Sequence, residues 1–205
     1  MKLYYAPNTI SIASAIALHE ARIEFEPIKL DFAAGQQTSP EYHAINPKGR
    51  VPSLITDAGI LTETGAILDY IAALNPDAGL VPTDPWQAAQ MRSVMYYLAS
   101  TMHVNHAHKM RGHRWADSES ARADMTAKVP QTMTECCTFV EANALAEPFV
   151  LGKTLSLADP YLFTVCTWLE GDGVDVTAFP KIRAFRTAME ARESVRAVRM
   201  TGMIA

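Results

Sequence analysis

The segment Asn46-Pro47-Lys48-Gly49-Arg50-Val51-Pro52 constrains this chain more than any other. Two prolines and a glycine in so short a run force a sharp turn. Pro47 pushes Asn46 out of the helical region, Gly49 permits a positive φ, and Pro52 removes an amide donor where a strand is about to begin. A proline at the mouth of a strand, after the β-branched Val51, is a setting for a cis X–Pro bond. With Pro52 cis, the N–H and C=O of Val51 turn outward and can pair with a short extended ligand as one more strand would. Downstream, Glu63-Thr64 stands where a strand hands over to a helix, a position that binds anions. Together the two segments predict a small peptide-like ligand, held by backbone at Val51 and by a helix start at Thr64.

The rest of the first half fits around that turn. Leu3 to Ala6 reads as a strand ended by Pro7-Asn8. A helix follows from about Ser11 to Ala21, with Ile12, Ile16 and several alanines offering a small-residue face. Phe25 to Leu30 is a second strand, and a short helix begins near Ser39-Pro40-Glu41. Ser53 to Thr56 and Ile60 to Thr62 flank the turn signal Asp57-Ala58-Gly59 and form a hairpin. Ile67, Tyr70, Ile71 and Leu74 keep helical spacing until Asn75-Pro76. The order is β-α-β-α-β-β-α, a parallel crossover followed by an antiparallel hairpin.

Residues 76–85 hold three prolines and a glycine and read as a linker between domain 1–75 and domain 86–205. Beyond it the pattern is helical throughout. Trp86 to Arg111 is one long helix whose buried stripe is Val94, Tyr97, Leu98 and Met102, ended by Gly112. Asp117 to Ala144 is a second, with Pro130 predicting a kink or interruption. Ser156-Leu157-Ala158-Asp159 has the form of a capping box. Further helices run from Pro180 through Met189 and from about Ser194 to Met200.

Composition narrows the function classes. The 205 residues are 49% hydrophobic and 20% charged, with a formal net charge of −4. That balance gives no electrostatic footprint for nucleic acid or an acidic membrane. No apolar run reaches transmembrane length, and Met1-Lys2-Leu3-Tyr4-Tyr5 reads as a strand rather than a signal peptide. Cys136, Cys137 and Cys166 show no CxxC spacing, which points to a reduced, cytoplasmic protein.

The element order, the run Asn46 to Pro52 and the run Leu61-Thr62-Glu63-Thr64-Gly65-Ala66-Ile67 resemble the thioredoxin-like domain of cytosolic glutathione transferases. The second half, with its Ser156–Asp159 box, resembles that family's all-helical domain, so the likeness spans essentially the whole chain. It implies a thioredoxin-like α/β domain with cis-Pro52, followed by an all-α domain that contributes an electrophile pocket. It also implies a homodimeric, detoxifying enzyme with glutathione as co-substrate and no metal. In the family, the Val51 position pairs through its backbone with the cysteinyl part of glutathione. The Glu63-Thr64 position binds the γ-glutamyl carboxylate and amine. A hydroxyl at a helix start suits a carboxylate and Glu63 suits an ammonium, although Thr64 also reads as a plain N-cap. Gln36, Gln37 and Lys48 lie in the loops that meet the glycyl carboxylate; Asp159 carries a folding role. For Arg50 the sequence leaves solvent and ligand both open.

The chemistry needs a thiolate, and a free thiol is mostly protonated at neutral pH. A donor aimed at the sulfur from the start of a helix lowers its pKa. Pro7 to Ser11 delivers such donors. The chain resembles the bacterial beta class, in which a Cys-Ser pair falls on positions 10 and 11, yet position 10 here is Ile10. Without that cysteine, mixed-disulfide chemistry is disfavoured. Ser11 becomes the leading thiolate-stabilising hydroxyl, with Thr9 and Tyr5 behind it and an ordinary N-cap as the alternative for Ser11. The run Tyr97 to His103 resembles the class's stretch that carries a histidine facing the thiol, so His103 takes that role. The asparagine that precedes the run in the class is Tyr96 here. His103 and His106 share a helical face, but His108 is off it and no acid joins them, which argues against zinc. His106, Met110 and Trp115 border the electrophile pocket, whereas Trp168 reads equally as core. Two other readings remain: a non-catalytic transferase-like module that binds proteins, and a glutathione-dependent isomerase.

Overall fold

The structure is a computed structural model that describes residues 1–204, and its chain divides into two compact units. The first comprises residues 1–82 and 190–204, the second 83–189.

The first unit is built on a four-stranded mixed sheet of order β2-β1-β3-β4. Strand β1 (Lys2–Tyr5) pairs in parallel with β2 (Glu26–Lys29) and antiparallel with β3 (Ser53–Thr56). Helix α1 (Ser11–Glu20) makes the parallel crossover. Every residue from Ser11 to Leu18 is buried, so the small residues let this helix be covered all round rather than on one face. Strand β4 (Gly59–Thr62) closes the hairpin on Thr56 with only Asp57 and Ala58 between. The turn is thus two residues long, because Gly59, at φ +133, belongs to the strand. The short α2 (Pro40–His43) starts as its sequence suggests, with Ser39 Oγ accepting from the Tyr42 N–H at 3.2 Å. Helix α3 (Thr64–Leu74) packs on α1.

In the second unit, α4 (Pro85–Tyr97) and α5 (His103–Arg111) are joined by five residues, Leu98–Met102, wound as π-helix. The expected single long helix is therefore one continuous rod with a widened turn just ahead of His103. Its buried stripe also differs from the expected one. Ala88, Met91, Met95, Leu98 and Met102 are the buried residues, while Val94 and Tyr97 are only half-buried. Helix α6 (Glu119–Asn143) runs unbroken through Pro130, so the expected interruption does not occur. Gly173, at φ +80, lies where a Cβ would come within 3.1 Å of the Pro130 ring, so that ring has a close-fitting neighbour. Helix α7 (Ala158–Cys166) is buried at every residue, the signature of a central core helix. Asp159, fully buried, accepts from Val150 N–H at 2.8 Å, from Ser156 N–H at 2.6 Å and from Ser156 Oγ at 2.9 Å. This is half a capping box: the acid reaches back to the backbone, and the serine hydroxyl donates to the acid instead of capping the helix.

Helix α8 (Pro180–Glu190) starts on a borrowed cap, since the Glu141 carboxylate accepts from the Lys181 and Ile182 N–H groups at 2.8 and 3.0 Å. Helix α9 (Glu193–Met200) falls in the first compact unit. The reason is specific contact. Glu20 at the end of α1 accepts from Arg192 Nε at 2.5 Å and Nη2 at 2.7 Å, and from Ser194 Oγ at 2.5 Å. The Met203 carbonyl accepts from the Asn8 N–H at 2.8 Å, so the last residues also hold the loop that precedes α1.

Candidate functional site

The turn at 46–52 is fixed from beneath by two buried side chains. Asn46, 1% exposed, donates from Nδ2 to the Arg50 carbonyl at 2.7 Å and to Ser53 Oγ at 3.2 Å, and its Oδ1 accepts from the Lys48 N–H at 3.1 Å. The Tyr42 hydroxyl donates to the same Arg50 carbonyl at 2.7 Å and lies 2.9 Å from Ser53 Oγ. Burial pushes the Tyr42 hydroxyl pKa up, against the lowering effect of its Ser53 and Asn46 bonds, so it stays a donor. Gly49 has φ +60, and a Cβ there would sit 2.9 Å from the Gln37 carbonyl, so no other residue fits without displacing backbone. The Val51–Pro52 bond is cis. Val51 is half-buried, and among the described residues no hydrogen bond engages its N–H or C=O.

Glu63 is the least ordinary residue of this region. Its φ is +74 with ψ 121, a conformation that costs a residue bearing a Cβ roughly 1–3 kcal/mol. Its carbonyl nevertheless accepts the first helical bond, from the Ile67 N–H at 3.0 Å. Glu63 is the N-cap position of α3 and makes no side-chain cap, and Thr64 is the first helical residue, so Thr64 is not the plain N-cap. Among the described residues no acceptor engages the N–H groups of Thr64, Gly65 and Ala66, which leaves an α3 start open to an anion. Lys48 Nζ donates to Glu63 Oε1 at 2.6 Å and to Thr62 Oγ1 at 2.7 Å. It therefore stands beside Glu63. Gln37 is half-buried and its Oε1 has no hydrogen-bond partner among the described residues, whereas Gln36 Oε1 is engaged by the Asp31 N–H at 2.8 Å. An open groove of about 570 Å³, lined by Ala6, Pro7, Lys29, Leu30, Asp31, Phe32 and Gln36, follows the ends of β1 and β2.

At the start of α1 the two hydroxyls meet. Thr9 Oγ1 donates to the Ala6 carbonyl at 2.7 Å and lies 2.6 Å from Ser11 Oγ, which is also 3.4 Å from that carbonyl. Ile10 takes the N-cap position of α1 without a side-chain bond, so Ser11 is not an ordinary cap. Ser11 is fully buried, Thr9 is half-buried and Tyr5 is 6% exposed. Thr9 is the more open of the pair.

In the second unit His103 and His106 converge on Trp168. The His106 ring stacks on the indole at 4.1 Å and 20°, and the His103 ring is 5.1 Å from it. Trp168 itself is buried. Met110 is 74% exposed, and Trp115, also exposed, meets His108 edge-on at 4.6 Å. Asp172 is the residue that the sequence reading missed. It lies between two glycines after α7, and its Oδ2 is 2.7 Å from His106 Nδ1. Among the described residues no group of three or more His, Cys, Asp or Glu side chains is placed to hold a metal.

Family models for the N-terminal and C-terminal domains of glutathione S-transferase match residues 1–73 and 106–199. Glutathione S-transferase GstA of Escherichia coli O157:H7 is 30% identical over 199 residues, covering 95% of each chain. The chain belongs to the glutathione S-transferase family. A glutathione transferase homologue from Sulfitobacter, solved with bound glutathione, is 62% identical, with 98% of each chain covered and a TM-score of 0.97. A beta-class glutathione S-transferase from Sphingomonas chungbukensis is 30% identical, again with 98% of each chain covered, at a TM-score of 0.85. The transferase fold therefore extends over the whole chain, a thioredoxin-like N-terminal domain with a four-stranded mixed sheet followed by a helical C-terminal domain.

Proposed function

We propose that this transferase binds glutathione in its first unit, stabilises the thiolate and conjugates it to a small hydrophobic electrophile. One observation carries the reading: three unengaged N–H groups at the start of α3 lie next to a carboxylate held at positive φ. The two halves suit the two charges of a γ-glutamyl head group. The N–H groups and the Thr64 hydroxyl take its carboxylate, and Glu63 takes its ammonium. The open backbone of Val51 pairs with the cysteinyl residue, beside Pro52, and directs the sulfur along the sheet's edge. Lys48 and Gln37 are the remaining contacts, with Lys48 neutralising Glu63 until the ammonium arrives. The 62% identical homologue solved with glutathione supports this choice of ligand.

Thiolate stabilisation falls to Thr9 and Ser11 together. Each hydroxyl has one proton, and the buried Ser11 can donate to Thr9 Oγ1, which frees Thr9 to turn its own proton from Ala6 to a thiolate. The α1 N-terminus adds its partial positive charge. Tyr5 and His103 complete the set of candidates for this role, and His106, Met110 and Trp115 are those for the electrophile. The working form is a cytoplasmic homodimer active in detoxification. Retention on immobilised glutathione, elution by free glutathione and turnover of an aryl halide test the reading. Failure to bind overturns it.

A further inference from the structure

The chain returns to α1 at both ends of that helix. At the far end, Glu20 holds Arg192 and Ser194 at the start of α9. Before the near end, the Met203 carbonyl accepts from the Asn8 N–H at 2.8 Å. Helix α9 therefore lies antiparallel along α1, all within the first unit. Gly202, at φ +72, ends α9 and turns the chain towards that loop, its N–H donating to the Arg199 carbonyl at 3.0 Å. Met203 and Ile204 are both buried, so the carbonyl between them is set by packed side chains. Its partner Asn8 is exposed and has φ +56. That conformation is uncommon for a residue with a Cβ, and a fixed acceptor for its N–H helps to hold it. Thr9 comes next. Its hydroxyl hangs on a single χ1 bond, so its place follows from the backbone of this turn. Ser11 instead belongs to the buried body of α1 and is fixed by the packing of that helix. The 2.6 Å contact between the two hydroxyls thus joins a turn-borne group to a core-borne one.

We propose that residues 202–204 are a positioning element for the thiolate-stabilising hydroxyl: the Met203 carbonyl sets the turn at Asn8, and with it the direction of Thr9 Oγ1. That role rests on the reading of Thr9 as the donor to the glutathione sulfur. A hydroxyl lowers a thiol's pKa only while it lies within hydrogen-bond reach of the sulfur. A misplacement of about 1 Å can cost on the order of a hundredfold in rate. Loosening the turn therefore weakens activation of the sulfur and spares the grip on the peptide, which belongs to Val51, Glu63 and Thr64.

The test follows three quantities: the thiolate absorbance of bound glutathione against pH, kcat/KM with an aryl halide, and affinity for S-methylglutathione, which has no ionisable thiol. Two variants disrupt the contact, a chain stopped after Thr201 and the full chain with Gly202→Val. A Cβ at position 202 meets nothing within 4 Å, so valine acts through its poor fit to positive φ. Gly202→Asn, whose side chain tolerates that region, should stay near the wild type. Both disruptive variants should raise the thiol pKa and lower kcat/KM at neutral pH by about tenfold, the loss expected of Thr9→Ala. Their affinity for S-methylglutathione should not change. Arg192→Ala is the control for stability alone. It loosens the far end of α1, and should lower the melting temperature without moving the thiol pKa. In a Thr9→Ala background, stopping the chain after Thr201 should move that pKa no further, because both changes act through one hydroxyl. An unmoved thiol pKa in either disruptive variant, an equal rise in Arg192→Ala, or losses that add to those of Thr9→Ala would overturn the proposal. A wild-type thiol pKa in Thr9→Ala itself would overturn Thr9 as the donor, and the proposal with it. Failure of the wild type to bind S-methylglutathione would instead overturn the glutathione reading.

Discussion

Glu63 concentrates the argument at the scale of single residues. A non-glycine residue at φ +74 persists only where its surroundings insist on it, and here the insistence comes from Lys48, Thr62 and the first turn of α3. A hydrogen bond to a charged group contributes roughly 1.5–3 kcal/mol, so Glu63→Gln should weaken glutathione binding by about tenfold to a hundredfold. Calorimetric titration reads this directly, and an unchanged affinity would remove Glu63 from the site. The hydroxyl pair gives a second prediction. Thr9→Ala removes the more open donor and should raise the pKa of bound glutathione, lowering kcat/KM by at least about tenfold. Ser11→Ala should do less. The thiolate absorbance of the bound peptide against pH distinguishes them, and a larger effect from Ser11→Ala would reverse the order argued from burial.

At the scale of elements, two polar clusters hold helices in place. Asp159 satisfies three donors in a fully buried position, and Asp159→Ala would leave the Val150 and Ser156 N–H groups without acceptors. At about 1–3 kcal/mol for each orphaned donor, the loss should be at least about 3 kcal/mol. Thermal unfolding should show it as a fall of roughly 6–12 °C in a chain of this length. Glu20 ties α1 to α9. Burial raises its pKa, but the Arg192 and Ser194 bonds outweigh that and hold the carboxyl below its ordinary value of 4.5. A carboxyl depressed in the folded state stabilises above its unfolded pKa, and that contribution is lost as pH falls through the folded value. Unfolding free energy should therefore drop as pH falls below about 4.5, and Glu20→Gln should flatten that limb. Arg192→Ala should cost about 1.5–3 kcal/mol at neutral pH and nearly nothing in acid. What could be read in the chain beforehand divides along the same lines. Hairpin, crossover and helix ends were legible because Pro, Gly and hydrophobic spacing act locally. The π-turn at Leu98–Met102 was not, since Leu-Ala-Ser-Thr-Met carries no breaker and its winding is set by packing. Nor was the Asp172–His106 pair, which joins residues 66 apart in sequence. The helix carries on past Pro130 without interruption because a proline costs a helix one bond, which a helix of this length tolerates.

For the whole molecule, the proposed homodimer predicts a solution mass of twice the 22.5 kDa chain, which light scattering measures. The larger claim is that the first unit grips a tripeptide through backbone and a helix start. The turn at 46–52 and the start of α3 were both readable in the sequence because each is a backbone device fixed by Pro, Gly and strand-to-helix order. Activation of the sulfur was less so, since Ile10 removes the class's marker and leaves hydroxyls whose access only packing decides. The central measurement is a paired titration with glutathione and with cysteinylglycine, which lacks the γ-glutamyl head. Glutathione should bind at one site per chain, and cysteinylglycine should bind too weakly to register. Equal affinity for the two, or no binding of glutathione, would contradict the account.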